Sequence, residues 1–140
     1  MKNQIKIMVA DDHELIHNGV SDCLQDSQEY VIAGHAFSGS EAIVMARKLK
    51  PDIILMDISM PDGNGIEATS KILQSQPGIK IIALSQYDSS EYVSQMLQAG
   101  SSGYLLKNSR KKEILAALDT VINNKKYIKS RNDSCYNVSK

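Results

Sequence analysis

Five short apolar runs alternate with helix-like segments along this chain, and this alternation restricts the possible folds more than any other feature of the sequence. The runs span Ile5–Ala10, Tyr30–Ala36, Ile53–Asp57, Ile79–Leu84 and Gly103–Leu106. Their nearly continuous apolar character predicts strands buried on both faces, as in a parallel sheet. Parallel neighbours need a crossover connection, and the intervening segments are long enough for a helix each. The pattern predicts an open, doubly wound α/β sheet with right-handed crossovers, because a closed barrel would need eight such units.

Capping signals place the helices between these strands. Ser38 followed by Glu41 is a capping box, which predicts a helix that runs to about Leu49. Asp88 has the same relation to a glutamate three residues later, and Gly100 is a typical residue to end that helix. The other helices are expected at Leu15–Leu24, Ile66–Leu73 and from about Arg110 to Asn124.

Composition favours one domain without a nucleic-acid bias. Hydrophobic residues make up 42% of the 140 residues, which is enough for a core, and Lys+Arg and Asp+Glu are both 16. Cys23 and Cys135 have no disulfide or zinc spacing, and the sequence shows no signal peptide or membrane-length apolar run. We therefore expect a cytoplasmic protein with one domain over residues 1–126. Residues 127–140 are expected to be a polar tail or the start of a linker to an output domain.

Carboxylates follow two of the predicted strands. Asp11 and Asp12 come after the first strand, and Asp57 ends the third. The carboxyl ends of parallel strands share one edge of the sheet, where ligands of such folds bind. Carboxylates about 5 Å apart repel by roughly 3 kcal/mol per pair, so the cluster predicts a cation such as Mg²⁺. The alternative is that Asp12 only caps the first helix and Asp11 is solvated.

Two further strand ends carry groups that suit a phosphoryl oxygen. Ser85 follows the fourth strand with a hydroxyl, and Lys107 follows the fifth with an ammonium. Asp57 is the candidate nucleophile, since an aspartate can form an acyl phosphate. The loop over residues 61–65, with one proline and two glycines, allows close backbone approach to a ligand. Without phosphate, Lys107 is expected to pair with Asp57.

These residues, in this order and spacing, closely resemble the receiver domain of bacterial two-component response regulators over residues 5 to about 124. The matching positions are Asp11, Asp12, Asp57, Ser85, Tyr104 and Lys107, together with the runs 50–61, 83–85 and 99–107 around them. The resemblance implies a flavodoxin-like (βα)5 three-layer sandwich with a five-stranded parallel sheet in the order 2-1-3-4-5. Gly63 and Asn108 depart from it, because many receivers have a bulkier apolar residue and a proline there.

The resemblance also implies a role for each matching residue. Asp57 would accept a phosphoryl group from a sensor histidine kinase, and Lys107 would bind the phosphoryl oxygen. Ser85 and Tyr104 would switch position in response, and Ser59 and Tyr87 would tune dephosphorylation. The implied ligands of Mg²⁺ or Mn²⁺ are the side chains of Asp11, Asp12 and Asp57 and the backbone carbonyl of Ser59.

Other segments, 84–88, 91–93, 103–107 and 121–128, resemble the receivers of NarL/FixJ (LuxR-type) transcription regulators. Those proteins bind DNA through a C-terminal helix-turn-helix domain, for which this chain has no room. The sequence is thus expected to be either part of a longer regulator or a stand-alone receiver. The implied partners are a sensor kinase and, on phosphorylation, a second copy of the chain; no membrane contact is expected.

Several alternatives remain beside this signalling switch, which is not expected to be a metabolic enzyme. A phosphate-ester hydrolase would carry Asp-x-Asp where this chain has Asp57-Ile58-Ser59. A flavodoxin-like cofactor binder would need a hydroxyl-rich phosphate loop where Asp11 and Asp12 would repel the ligand. A phosphate-independent receiver stays open until Asp57 is tested. His13 and His17 are one helical turn apart, and solvated or partly packed positions are favoured over a metal site, because no further nitrogen or sulfur ligand is in register.

Overall fold

A mixed sheet of seven strands lies at the centre of the computed structural model, which describes residues 4–60, 63–128 and 136–139. In chain order the strands are β1 (Ile5–Ala10), β2 (Tyr30–Ala36), β3 (Ile53–Asp57), β4 (Ser59–Met60), β5 (Gly63–Asn64), β6 (Lys80–Ser85), β7 (Gly103–Leu106), β8 (Lys125–Ile128) and β9 (Tyr136–Ser139). The helices are α1 (Glu14–Leu24), α2 (Gly39–Leu49), α3 (Gly65–Ser75), α4 (Ser90–Ala99) and α5 (Lys111–Ile122). Strands β4 and β5 form a separate antiparallel pair.

The strand order of the main sheet is β2-β1-β3-β6-β7-β8-β9. Its first five strands are parallel and have the order predicted from the sequence. The sheet has more strands than the five that were expected, however, because β8 pairs in parallel with β7 and β9 pairs antiparallel with β8. The predicted domain boundary after residue 126 falls inside β8, where Tyr127 and Ile128 are both buried. That residues 127–140 are a tail or the start of a linker stays a prediction.

Helices cover both faces of the sheet, which confirms the three-layer prediction. One apolar cluster joins α2, α3 and α4 to the sheet through residues such as Ala46, Ile72 and Met96. The other joins α1 and α5 to the opposite face through Val20 and Leu118. The strands are nearly continuously apolar because helices bury them from both sides. Within the described ranges no helix has the length and apolar character required to cross a membrane.

Local signals set the ends of two helices. The Ser38 hydroxyl accepts a hydrogen bond from the Glu41 amide at 3.1 Å, as the capping box predicts. Gly100 ends α4 with a φ of 110°, a left-handed conformation that favours glycine. The prediction that Asp88 caps α4 is wrong. Ser89 is the cap, and its hydroxyl accepts a hydrogen bond from the Tyr92 amide at 3.3 Å.

Candidate functional site

The register of the sheet brings the predicted site residues together. Ala10 pairs with Met56 across β1 and β3, so the residues that follow, Asp11 and Asp57, lie side by side. Across β6 and β7, Ser85 pairs with Leu106, and the Lys107 amide donates to the Ser85 carbonyl at 2.8 Å. The carboxyl edge of the sheet therefore holds two carboxylates, a hydroxyl and an ammonium on four neighbouring strands.

Lys107 links the two buried carboxylates. Asp11 is fully buried and Asp57 is 2% exposed. The Lys107 Nζ lies 3.0 Å from Asp11 Oδ2 and 3.2 Å from Asp57 Oδ2. The predicted pairing of Lys107 with Asp57 is thus present and extends to Asp11. Because both acids are removed from water, this one positive charge offsets part of their mutual repulsion.

The Asp57 carboxylate is held in an environment that disfavours its charge. Burial, and next the neighbouring charge of Asp11, raise its pKa to about 6. The Lys107 ammonium and the Ser59 amide, which donates to Asp57 Oδ1 at 3.1 Å, act in the opposite direction. A further cation beside Asp57 would therefore restore the ionised form that a nucleophile needs.

This raised pKa predicts a pH-dependent loss of stability. The folded protein binds a proton at Asp57 more tightly than the unfolded chain does, so it loses stability as the pH rises from about 4 to about 6. Asp57→Asn lacks this titration. In buffer with EDTA, we expect the free energy of unfolding of Asp57→Asn to rise by about 2–3 kcal/mol relative to that of wild type as the pH rises over this range. Urea unfolding of both proteins at several pH values measures the difference, and two parallel pH profiles would contradict the prediction.

The acidic cluster has the ligands and the unmet bonding capacity that suit a divalent cation. One ligand atom from each of Asp11, Asp12, His13 and Asp57 lies within 4.8 Å of the others. Among the described residues, the buried Oδ2 atoms of Asp11 and Asp57 have no hydrogen-bond partner other than the Lys107 ammonium, which lies 3.0 and 3.2 Å from them. Buried carboxylate oxygens in this condition suit a hard cation such as Mg²⁺.

The predicted ligands differ in exposure. The Asp12 side chain is 30% exposed and lies at the rim, whereas Asp11 and Asp57 form the floor. The Ser59 amide faces Asp57, and the metal role of the Ser59 carbonyl stays a prediction. The alternative in which Asp12 caps the first helix is not what the structure shows, because His13 occupies the cap position of α1. Pro61 and Asp62 lie outside the described residues.

His13 lies beside the acids, although the sequence favoured a solvated or partly packed position over a metal site; its side chain is 52% exposed. Its Nδ1 lies 3.0 Å from Asp11 Oδ1 and 3.3 Å from Asp12 Oδ1. The spacing of one helical turn between His13 and His17 does not place both in α1, because His13 precedes that helix with an extended backbone. His17 is buried instead, and its Nε2 contacts the Asp11 carbonyl at 2.7 Å. The signal that was available is the position of His13, directly after two acids at a strand end.

The predicted switch residues meet at the Tyr87 backbone. The Ser85 hydroxyl donates to the Tyr87 carbonyl at 3.1 Å and accepts from the Tyr87 amide at 2.9 Å. The Tyr104 hydroxyl donates to the same carbonyl at 2.9 Å. Tyr104 is 1% exposed, so its side chain points inward, a choice that the sequence left open. Its burial raises the pKa of the Tyr104 hydroxyl, so that group stays a neutral donor.

A cavity of about 180 Å³ lies over this edge of the sheet. It is lined by Asp57, Ser85 and Lys107, together with His13, Ile58, Ser59, Gln86 and Tyr87. The Asp57 carboxylate, the Ser85 hydroxyl and the Lys107 ammonium therefore face one space, and that space can receive a small anionic group. A larger groove of about 380 Å³, lined by Cys23, Tyr30 and Asp119 among others, does not include Asp57, Ser85 or Lys107 in its lining.

Comparison with known proteins gives a consistent result. A family model described as the response regulator receiver domain matches residues 7–119. The chain is 40% identical over 124 residues to the response regulator GacA of Pseudomonas syringae pv. syringae, which covers 89% of this chain and 58% of that protein. It is 39% identical over 125 residues to the oxygen regulatory protein NreC of Staphylococcus haemolyticus, and the match covers 89% of this chain and 58% of that protein. The chain thus spans a little over half the length of these curated relatives.

Solved structures show the same similarity. The signal receiver domain of the response regulator NarL from Mycobacterium tuberculosis superposes with a TM-score of 0.83 and 29% identity, over 87% of this chain and 98% of that chain. A two-component response regulator of the LuxR family from Aurantimonas superposes with a TM-score of 0.85 and 28% identity, over 93% and 92%.

Proposed function

Because the chain belongs to the response regulator receiver domain family, we propose that Asp57 accepts a phosphoryl group in a reaction that depends on Mg²⁺ or Mn²⁺. The observation that carries this proposal is the geometry at Asp57. Its buried carboxylate opens into a cavity that it shares with the Ser85 hydroxyl and the Lys107 ammonium. These are a nucleophile and two donors for phosphoryl oxygens, set on adjacent strand ends.

The transfer itself needs few groups from the protein. A carboxylate oxygen of Asp57 attacks the phosphorus of a phosphohistidine on a sensor kinase that is protonated at its other ring nitrogen. The P–O bond forms as the P–N bond breaks, the electron pair of that bond stays on the nitrogen, and the donor leaves as a neutral imidazole. A divalent cation held by Asp11, Asp12 and Asp57 would supply charge that stabilises the phosphoryl oxygens. Lys107 binds one of these oxygens, and Ser85 donates its hydroxyl to another.

Phosphorylation would redistribute the contacts at the edge of the sheet. A phosphoryl group at Asp57 offers Lys107 a stronger partner than the two carboxylates. If the Ser85 hydroxyl turns to this phosphoryl group, the Tyr87 carbonyl loses one of its two hydrogen-bond donors. The loop that contains Tyr87 is then held less firmly, and so is the Tyr104 side chain that donates to the same carbonyl. Contacts made only in the phosphorylated form shift the population towards one arrangement of the loops after β6 and β7. The face formed by α4, β7 and α5 would present this change to partners.

The proposed setting is a two-component system in the cytoplasm. Names such as the transcriptional regulatory protein DegU of Brevibacillus brevis, 38% identical over 127 residues, support control of transcription as the output. The chain covers 54% of that relative, so we propose that DNA is bound through a domain outside these residues. A sensor histidine kinase would be the phosphate donor, and the phosphorylated form would pair with a second copy.

Intact-mass spectrometry with acetyl phosphate tests the chemistry. Wild type incubated with Mg²⁺ is expected to gain the mass of one phosphoryl group, and EDTA is expected to abolish the gain. Asp57→Asn should show no gain under either condition. Asp26→Asn, which changes an exposed acid outside the site, should behave as wild type. If folded wild-type protein takes up no phosphoryl group at any time point, the phosphoacceptor proposal fails and a phosphate-independent interaction domain is favoured.

A further inference from the structure

We propose that the His13 imidazole is a direct ligand of the cation at this site and that it makes the site prefer Mn²⁺ over Mg²⁺. The inference rests on the proposed cation site and adds a fourth side-chain ligand to it. Imidazole nitrogen binds first-row transition metals well and Mg²⁺ poorly, whereas carboxylates accept both. Of the first-row ions, Mn²⁺ also suits the oxygen-rich remainder of the cluster.

The distances around His13 are those of neighbouring ligands on one ion. In an octahedral site with bonds of about 2.1 Å, adjacent ligand atoms are about 3 Å apart. The His13 Nδ1 lies 3.0 Å from Asp11 Oδ1 and 3.3 Å from Asp12 Oδ1. All four ligand atoms of the cluster, including one from Asp57, fall within 4.8 Å of one another. A small closing movement would therefore place them around a common centre.

The Lys107 ammonium shows where positive charge is favoured in this cluster. Its Nζ touches Asp11 Oδ2 at 3.0 Å, Asp57 Oδ2 at 3.2 Å and His13 Nδ1 at 3.2 Å. It therefore contacts three of the four candidate ligand residues at once. A cation that binds there would release Lys107 to a phosphoryl oxygen, the role that the proposed function needs.

Neither form of the neutral His13 ring satisfies all of its neighbours. A hydrogen on Nδ1 can be donated to a carboxylate, but Nδ1 then has no lone pair for the Lys107 ammonium 3.2 Å away. A lone pair on Nδ1 accepts from Lys107 but faces two carboxylate oxygens. A cation at the centre resolves this conflict, because the lone pair and both carboxylates then share one positive partner.

The backbone presents His13 to the site without packing the ring elsewhere. His13 is the cap residue of α1, with φ −103° and ψ 116°, and its amide donates to Asp11 Oδ1 at 2.8 Å. The side chain is 52% exposed, so the ring can adjust at little cost. His17 differs, because its Nδ1 contacts His35 at 2.7 Å and its Nε2 contacts the Asp11 carbonyl at 2.7 Å. Both of its nitrogens are already engaged.

Pulsed electron paramagnetic resonance of the Mn²⁺-loaded protein tests this ligand directly. Wild type is expected to show the ¹⁴N coupling of a coordinated imidazole, and His13→Asn is expected to lose it. In competition titrations, the ratio of Mg²⁺ Kd to Mn²⁺ Kd should fall about tenfold in His13→Asn. His35→Gln, which changes a histidine outside the four ligands, should keep both the coupling and the ratio.

The outcomes separate this inference from the proposed function. Mn²⁺ bound to wild type without nitrogen coupling would overturn the role of His13 and leave the carboxylate site in place. A coupling that survives in His13→Asn would assign the nitrogen to another residue and also overturn the inference. If folded wild type binds neither Mn²⁺ nor Mg²⁺, the cation site of the proposed function fails as well. Circular dichroism of each variant establishes that it is folded.

Discussion

Gly65→Ala is expected to destabilise the folded protein by about 3 kcal/mol. A Cβ at this position would lie 2.0 Å from the Asp57 carbonyl oxygen and 2.9 Å from its carbonyl carbon. The obstacle is backbone at the end of β3, so no side-chain rotation relieves it. The Gly65 amide also donates to the Ile58 carbonyl at 2.6 Å, which ties the start of α3 to the segment after Asp57. Gly65 thus approaches the end of β3 closely, whereas the approach of this loop to a ligand stays a prediction.

Urea unfolding measures this loss, and Gly19→Ala is the matched control. Gly19 lies inside α1, and a Cβ there would meet nothing within 4 Å. Alanine is a better helix former than glycine, so the free energy of unfolding of Gly19→Ala should exceed that of wild type by about 0.5–1 kcal/mol. Because the clash displaces Asp57, Gly65→Ala should also slow phosphorylation by acetyl phosphate, whereas Gly19→Ala should not. Equal unfolding midpoints for Gly65→Ala and wild type would contradict the close approach.

Lys107→Met is expected to cost about 3 kcal/mol of stability near pH 8 in EDTA. The substitution keeps much of the side-chain volume but removes the ammonium that lies 3.0 Å from Asp11 Oδ2 and 3.2 Å from Asp57 Oδ2. Two buried carboxylates would then face each other without a positive charge. The loss should shrink at pH 5, because the raised pKa of Asp57 allows it to become neutral there. Added Mg²⁺ should recover much of it, because the ion takes the place of the ammonium.

The control for this variant is an exposed lysine in an ordinary ion pair. Lys71 Nζ lies 3.9 Å from Glu67 Oε2, and both side chains are more than half exposed. Lys71→Met should therefore change stability by less than about 0.5 kcal/mol, with no dependence on Mg²⁺. Thermal unfolding with EDTA and with Mg²⁺ compares the two variants. If Lys107→Met is as stable as wild type in EDTA at pH 8, the carboxylates do not depend on its charge.

Much of the fold and of the acidic site could be predicted from the sequence, because both depend on local patterns. Strands buried from both sides must be apolar along their whole length, so runs such as Ile53–Asp57 mark their own limits. A polar residue at the end of such a run therefore indicates the carboxyl end of a strand. In a parallel sheet these ends share one edge, so the approach of Asp11, Asp57, Ser85 and Lys107 follows from their positions in the chain.

Other features depend on contacts between distant segments, and only the tertiary structure decided them. Strand β8 has only two buried apolar residues, Tyr127 and Ile128, so its sequence has no periodicity that predicts a strand. It is held in the sheet by its pairing with β7. Tyr104 points inward because the Tyr87 carbonyl lies within reach of its hydroxyl.

His13 shows the same division within the candidate site. The sequence by itself determined that this residue follows two acids at a strand end. The turn before α1, and the Lys107 side chain from the far end of the chain, decided that its imidazole joins the carboxylates. The physical reason is that the two kinds of feature depend on different distances along the chain. Hydrophobic periodicity is set by residues close in sequence, whereas ring orientation and charge pairing depend on which distant segments the completed fold brings together.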